Sequence, residues 1–106
     1  MSDQFSVHRN PGRSVKVIPF VVVIQCNRFS NASQRVVVPL VSAEAFGLAD
    51  SDIASHFVIN DHEVVFAPRQ ITNVPARVLG PVVASLADDD EQIIRALDAF
   101  LSRARR

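Results

Sequence analysis

The stretch Val17-Ile18-Pro19-Phe20-Val21-Val22-Val23-Ile24 decides the fold of this chain. Every residue in it except the proline is apolar, and most are β-branched. Branched side chains lose rotamer freedom against a helical turn, so the run predicts a strand that is buried on both faces. Pro19 has no N–H to donate, so we expect it at the start of the strand or at a sheet edge. Burial of each large side chain contributes roughly 1.5–3 kcal/mol, which makes this segment the centre of the predicted core.

Two further strands are predicted around this run. Arg35-Val36-Val37-Val38-Pro39-Leu40 follows a polar loop at 27–34 and is expected to pair with it. Gln4-Phe5-Ser6-Val7-His8 alternates polar and apolar residues, as a strand with one buried face does. Asn10-Pro11-Gly12 is a strong turn signal, so we expect the first strand and the central run to form a hairpin.

The next part of the chain predicts shorter elements. Residues 41–46 are compatible with a short helical turn. Phe57-Val58-Ile59 and Glu63-Val64-Val65-Phe66 flank Asn60-Asp61-His62, which predicts a tight hairpin because Asn and Asp tolerate positive φ. Residues 71–79 contain short apolar pairs and a proline, so they predict one or two short strands. All predicted strands therefore fall within residues 4–79.

A C-terminal helix is predicted over about residues 88–102. Asp88 is the expected N-cap, and Glu91 three residues later completes a variant of the capping box. The apolar stripe of this helix follows helical spacing and consists of Ile93, Ile94, Leu97, Phe100 and Leu101. The stripe stops at Leu101, so residues 102–106 are expected to fray or project.

Composition limits the classes of protein that this chain can be. A length of 106 residues predicts a single domain, 1–106. The 11 basic and 11 acidic residues give a formal net charge of zero, so no global field favours nucleic acid or a membrane. The acidic block 88–91 and the terminal arginines are explained by the dipole of the predicted helix. The alternative is a basic tail that touches a partner or a phosphate.

The chain has one cysteine, Cys26, so an intramolecular disulfide is impossible and a reducing compartment is favoured. The sequence does not open with a signal peptide, and no apolar run reaches ~18 residues. A cytoplasmic location is therefore expected.

The sequence predicts no catalytic, metal or cofactor site. The three histidines follow no metal spacing, and His8 and His62 are expected at the surface of strands. Cys26 has no nearby histidine to activate it. The three glycines are scattered and form no phosphate-binding loop. We therefore do not expect an enzyme.

Several blocks of the sequence occur in an order and at a spacing that nearly match those of a known protein family. They are Gln4-Phe5, Val22-Val23-Ile24-Gln25, Arg35-Val36-Val37-Val38-Pro39-Leu40 and Asn73-Val74-Pro75, followed by the terminal helix. Together they resemble the CcdB family of toxins from toxin–antitoxin modules, over nearly the whole chain. The resemblance implies a mainly β fold, an SH3-like barrel or antiparallel sheet of the CcdB/MazF type with one C-terminal α-helix. It also implies a homodimer.

The resemblance further implies a target and an inhibitor. Family members bind the dimerisation region of the DNA gyrase A subunit and trap the enzyme on cleaved DNA, without binding nucleic acid directly. A partly disordered CcdA-like antitoxin removes them from gyrase. Poisoning members commonly end in Trp-Gly-Ile, whereas the corresponding positions here are Ser102, Arg103 and Ala104. Loss of an aromatic hot-spot residue is expected to weaken binding by roughly 30- to 700-fold.

Two sets of site residues are carried over from the family. The expected gyrase-binding face consists of Gln25, Asn27, Arg28, Phe29, Asp98, Ser102, Arg103 and Ala104. The turn at Arg9, Asn10 and Arg13 is expected to form part of the antitoxin surface.

Two alternatives stay open at this point. A MazF/Kid-like endoribonuclease shares the implied fold and would need an acid–base set such as Arg69 with His62 and Glu63. The neutral charge of the chain counts against it, because RNA affinity depends on phosphate contacts. The other alternative is a non-poisoning relative that only binds antitoxin.

Overall fold

The computed structural model describes residues 4–12, 14–24, 33–46 and 55–104. The elements in chain order are β1 Ser6–Arg9, β2 Phe20–Val23, β3 Gln34–Ser42, α1 Ala43–Phe46, β4 Ser55–Ile59, β5 His62–Phe66, β6 Thr72–Pro75, β7 Ala84–Ser85 and α2 Asp90–Ala104. The seven strands form one antiparallel sheet in the order β4-β5-β3-β2-β1-β7, with β6 paired to β3. The sheet curls into a nearly closed barrel, and α2 is the C-terminal helix, as predicted.

The central strand is buried on both faces, as its composition predicts. All four residues of β2 are buried, and Val22 lies opposite Val38 in the antiparallel pair with β3. Phe20 and Val22 face the main core, which also contains Leu40, Phe66 and Ile93. The alternate residues of β2 face a second, smaller cluster on the other side of the sheet. This cluster consists of Val21, Val23 and Val37, with Val74 and Leu79 packed against it.

The nine-residue strand β3 allows the sheet to curl. It pairs with β2 along one edge, whereas its other edge is shared by β5 near Leu40–Ser42 and β6 near Gln34–Val37. Pro39 lies between these two pairings and has no N–H to donate, but its carbonyl accepts a bond from the Ala67 amide at 3.1 Å. One long strand thus serves two partners on the same edge, which turns the sheet toward a barrel.

The strand that contains the central run is shorter than predicted. Residues 15–17 form a turn in which the Val17 and Ile18 amides donate to the Ser14 carbonyl at 3.1 and 2.7 Å. These bonds hold Val17 out of the sheet, and its side chain is 48% exposed. The strand therefore begins at Phe20, directly after Pro19.

The short elements of the second half follow the predictions in part. The α1 turn is present, and 71–79 contain one strand, β6, followed by a 3-10 turn at Ala76–Val78. Strand β7 was not predicted. It pairs with β1, placing Val7 opposite Ala84, and the flanking amides of Val83 and Leu86 donate to the β1 side.

Both ends of the C-terminal helix differ from the prediction. Asp88 is not its N-cap, because a 3-10 turn at Ala87–Asp89 precedes α2 and is closed by a bond from the Asp89 amide to the Leu86 carbonyl at 2.9 Å. The helix starts at Asp90 and continues to Ala104, three residues past the last apolar position. Residues 102–104 are thus helical rather than frayed. No helix in the described ranges is long and apolar enough to cross a membrane.

Candidate functional site

The first candidate surface is the outer face of α2. The inner face is fixed by Ile93 and Ala96, which are buried in the main core, and by Leu97, which packs against it. The helix lies against β4 and the 3-10 turn Pro68–Gln70. Because these contacts hold one side of the helix, its other side is a rigid exposed surface.

Two residues of the predicted apolar stripe lie on this outer face. Ile94 is 48% exposed and Leu101 is 55% exposed, so only part of the apolar stripe lies against the core. Successive helical residues are about 100° apart, and the five stripe positions span a wider arc than the sheet covers. The core side of the arc is buried, and the side with Ile94 and Leu101 faces solvent.

The structure describes only the helical part of the expected gyrase-binding face. Asp98 is exposed on α2, and Ser102, Arg103 and Ala104 form its last turn. Asp98 and Ser102 are four residues apart, so they share one side of the helix. Gln25, Asn27, Arg28 and Phe29 lie outside the described residues, as does Cys26.

The second candidate surface is an open groove of about 560 Å³. Its walls come from the β1–β2 connection, the start of α1 and the β4–β5 hairpin. The lining residues are Arg9, Val15, Lys16, Pro19, Phe20, Ser42, Ala43, Glu44, Asp61, His62, Glu63 and Val64. The Phe20 and His62 rings meet edge to face with centroids 5.8 Å apart.

The groove carries charges of both signs. Arg9 and Lys16 lie on one wall, and Glu44, Asp61 and Glu63 lie on the others. Such a surface suits a partner that is itself charged and polar rather than an apolar ligand. Of these charged residues, sequence reasoning singled out Arg9 for the antitoxin surface and Glu63 for the endoribonuclease alternative. It did not predict the groove, because the charged residues come from four separate segments that only the folded sheet brings together.

The predicted antitoxin turn is ordered by one of its own members. The Asn10 side chain donates to the Ile18 carbonyl at 2.8 Å and accepts from the Gly12 amide at 2.9 Å. Both polar atoms of the Asn10 side-chain amide therefore hold the turn together, while Arg9 is exposed at the groove. Arg13 lies outside the described residues.

The residues of the endoribonuclease alternative are not brought together. His62 and Glu63 begin β5 and line the groove, whereas Arg69 lies in the 3-10 turn that follows the other end of this strand. A strand rises about 3.3 Å per residue, so the two ends of this five-residue strand are roughly 13 Å apart. The described part of the chain also contains no group of three or more His, Cys, Asp or Glu side chains that could hold a metal ion.

His8 is buried, so the prediction that it lies at the surface is wrong. It is only 2% exposed, and its Nδ1 lies 2.8 Å from the Gly80 carbonyl while Nε2 lies 2.9 Å from Ser6 Oγ. The burial has a physical reason: the segment 80–82 lies beside His8 and covers the face of β1 on which its ring lies. His8 also lines a small cavity of about 160 Å³ together with Arg35, which is buried as well. Arg35 donates to the Gln34 carbonyl at 3.1 Å.

A family model described as "CcdB protein" matches residues 4–102. No curated protein matches the chain. The matched range begins just before β1 and ends at Ser102, so it covers all seven strands and α2 except its last two residues, Arg103 and Ala104.

Proposed function

The chain belongs to the CcdB family, and on that premise we propose that it is the toxin of a type II toxin–antitoxin module, acting on DNA gyrase. The observation that carries the proposal is the family match over residues 4–102, which includes both the barrel and α2. The β fold with one terminal helix is the architecture that the family resemblance implies.

The proposed mechanism is binding rather than catalysis. The toxin binds the gyrase A subunit and holds the enzyme on cleaved DNA, so its own chain needs a complementary surface and no reacting group. On α2, exposed Asp98 and the last turn at Ser102–Ala104 supply the described half of that surface. The formal net charge of zero supports contact with a protein instead of direct contact with nucleic acid.

The last turn of α2 differs in sequence from that of the poisoning family members. It presents Ser102, Arg103 and Ala104 where poisoning members commonly have Trp-Gly-Ile. The helical conformation of these three residues places them on a rigid element, which limits the entropy lost on binding. We propose that this turn binds gyrase through polar contacts, with lower affinity than an aromatic anchor gives.

The proposal includes a homodimer and a CcdA-like antitoxin. The mixed charge of the groove suits a partly disordered peptide with residues of both signs, and Arg9 is the basic residue of the predicted turn that reaches it. The two surfaces use different elements, α2 for gyrase and the groove for the antitoxin. An antitoxin that occupies the groove would therefore have to extend around the barrel to displace gyrase.

The assignment of the α2 face is tested by binding of purified protein to the dimerisation region of gyrase A on a biosensor. We expect Asp98→Lys to weaken binding about tenfold or more, because it reverses a charge in the contact. Deletion of residues 102–106 should abolish binding. The matched control is Glu63→Lys, the same charge reversal at an exposed groove position, which should bind as the unchanged protein does.

Circular dichroism establishes that each variant is folded. If the unchanged protein binds gyrase A and both α2 variants bind it as tightly, the assignment of gyrase binding to the α2 face is wrong. If the folded unchanged protein does not bind gyrase A at all, the proposed target is wrong.

A further inference from the structure

A small cavity between the sheet and the connection from β6 to β7 is lined by two buried polar side chains. His8 is 2% exposed and Arg35 is 5% exposed, and both line this cavity of about 160 Å³. The other lining residues come from the β6–β7 connection and are Ala76, Leu79, Gly80, Pro81 and Val82. The described lining residues therefore include a guanidinium and no carboxylate.

The strands place His8 and Arg35 on the same face of the sheet. Arg35 is two residues before Val37, and side chains alternate along a strand, so both lie on the face that carries the smaller cluster. His8 follows Val7, which is part of the main core, so the His8 ring lies on the opposite face. His8 also lies directly opposite Val21 of the smaller cluster in the β1–β2 pair. The β6–β7 connection covers this face and closes the cavity.

The two polar side chains differ in what they offer a ligand. His8 uses both ring nitrogens within the protein, Nδ1 with the Gly80 carbonyl at 2.8 Å and Nε2 with Ser6 Oγ at 2.9 Å. Arg35 donates to the Gln34 carbonyl at 3.1 Å through one of the five N–H groups of a guanidinium. Two parallel N–H groups of a guanidinium match two oxygens of a carboxylate or phosphate. Arg35 is therefore the side chain suited to hold an anion, and His8 holds the wall at Gly80 in place.

The charge and the size of the cavity define the class of ligand. Burial of a charged group is costly unless an opposite charge or hydrogen-bond acceptors compensate it, and an oxyanion supplies both. Liquid water occupies about 30 Å³ per molecule, so the cavity has room for a few water-sized groups. A small oxyanion fits this space, whereas a nucleoside attached to it would have to lie outside. Because the chain has a formal net charge of zero, the attraction is local to the cavity.

We propose that this cavity binds a free oxyanion of the size of inorganic phosphate, held by the guanidinium of Arg35. A bound anion joins Arg35 on β3 to the connection that leads into β7. The site shares no lining residue with the groove and uses none of α2, so it is independent of the proposed gyrase and antitoxin surfaces.

The site is tested by titration of the full chain with sodium phosphate, followed through the backbone amides by nuclear magnetic resonance. Sodium chloride keeps the ionic strength constant, and the pH is fixed. We expect saturable shifts of the Gly80 and Val82 amides with a dissociation constant of about 1 mM or lower, an affinity within reach of a ligand of five heavy atoms. The amide of Asn60, in the β4–β5 hairpin, should show no saturable shift.

Variants of the cavity test which residues bind the anion. Arg35→Gln removes the charge and the fork of donors, and we expect it to raise the dissociation constant at least tenfold. Val82 lines the cavity and is 49% exposed, so it lies at the mouth, where a substitution leaves the interior intact. Val82→Glu should raise the constant about threefold or more by repelling the anion, and Val82→Lys should lower it. Val58→Glu on the edge strand β4 is the matched control and should bind as the unchanged protein does.

Shifts at Gly80 and Val82 that do not saturate would overturn the site, as would equal dissociation constants for Val82→Glu, Val82→Lys and the control. The two Val82 variants decide the question if Arg35→Gln does not fold. If it folds and binds phosphate as tightly as the unchanged protein, Arg35 is not the binding group and the proposal is wrong. A parallel titration with adenosine monophosphate distinguishes the source of the phosphate. Tighter binding of the nucleotide than of inorganic phosphate would overturn the assignment to a free oxyanion.

Discussion

His8 links two distant parts of the chain through both of its ring nitrogens. Because a carbonyl can only accept, Nδ1 must donate to Gly80, and in the neutral ring Nε2 accepts from the Ser6 hydroxyl. The bond to Gly80 connects β1 to a segment 72 residues later in the sequence. The side chain therefore fixes the connection that leads into β7, and with it the approach to α2.

Replacement of this residue should cost considerable stability. We expect His8→Ala to lower the free energy of unfolding by about 2–4 kcal/mol, because it removes two hydrogen bonds and enlarges the cavity that His8 lines. Urea denaturation at one fixed protein concentration measures the change, because the proposed homodimer would make stability depend on concentration. His56→Ala is the control at an exposed position on β4 and should change stability by less than about 0.5 kcal/mol. Similar stabilities of the two variants would contradict the role assigned to His8.

The position of His8 could not be predicted from its neighbours in sequence. Polar and apolar alternation over residues 4–8 predicts a strand with one face in water, and His8 would lie on that face. The structure instead places β1 inside the sheet, with Gly80 and Pro81 over its second face beside Arg35. Only the distant segment that leads into β7 covers that face, and a two-residue strand gives little signal in the sequence.

Among the elements, the β4–β5 hairpin was predicted most accurately, because its determinants are local. Asn60 and Asp61 have φ values of 49° and 70°, so both occupy the left-handed region that a two-residue hairpin loop of this kind requires. Ile59 pairs with His62 across the loop. Residues that adopt positive φ at small cost thus set the register of the whole hairpin.

The positive φ of Asp61 predicts how substitutions at this position rank in their effect on stability. Asp61→Val should lower the free energy of unfolding by about 1–2 kcal/mol, because a β-branched side chain is strained at positive φ. Asp61→Gly should leave stability unchanged or raise it, because Asn-Gly is the preferred pair in such loops. Thermal unfolding monitored by circular dichroism measures both variants. Equal midpoints for valine and glycine would show that the loop does not hold this conformation.

The ends of elements were predicted less well than their existence. Helix α2 begins two residues after the predicted N-cap, because a 3-10 bond to Leu86 occupies the backbone before it. Strand β2 begins three residues after the start of the apolar run, because a turn on Ser14 removes Val17 from the sheet. In both cases the backbone bonds of a turn set the boundary, and residue type alone does not reveal those bonds.

At the scale of the whole molecule, the fold and part of the site follow from the sequence. The valine-rich runs predict the strands, the family resemblance implies the barrel, and helical spacing predicts α2 with Asp98 on it. The groove could not be predicted, since its charged residues come from β1, the β1–β2 connection, α1 and the hairpin. The outward position of Ile94 and Leu101 also required the structure, because the stripe itself does not tell which side the sheet covers.

The central claim is that this fold still acts as a gyrase poison although its last helical turn is Ser102-Arg103-Ala104. The most direct test is a gyrase cleavage assay with the purified protein, supercoiled plasmid and ATP. The proposal predicts linear plasmid after the proteins are denatured, and less of it for Asp98→Lys than for Glu63→Lys. The absence of linear plasmid, with a protein shown to be folded and dimeric, would contradict it and favour a relative that only binds antitoxin.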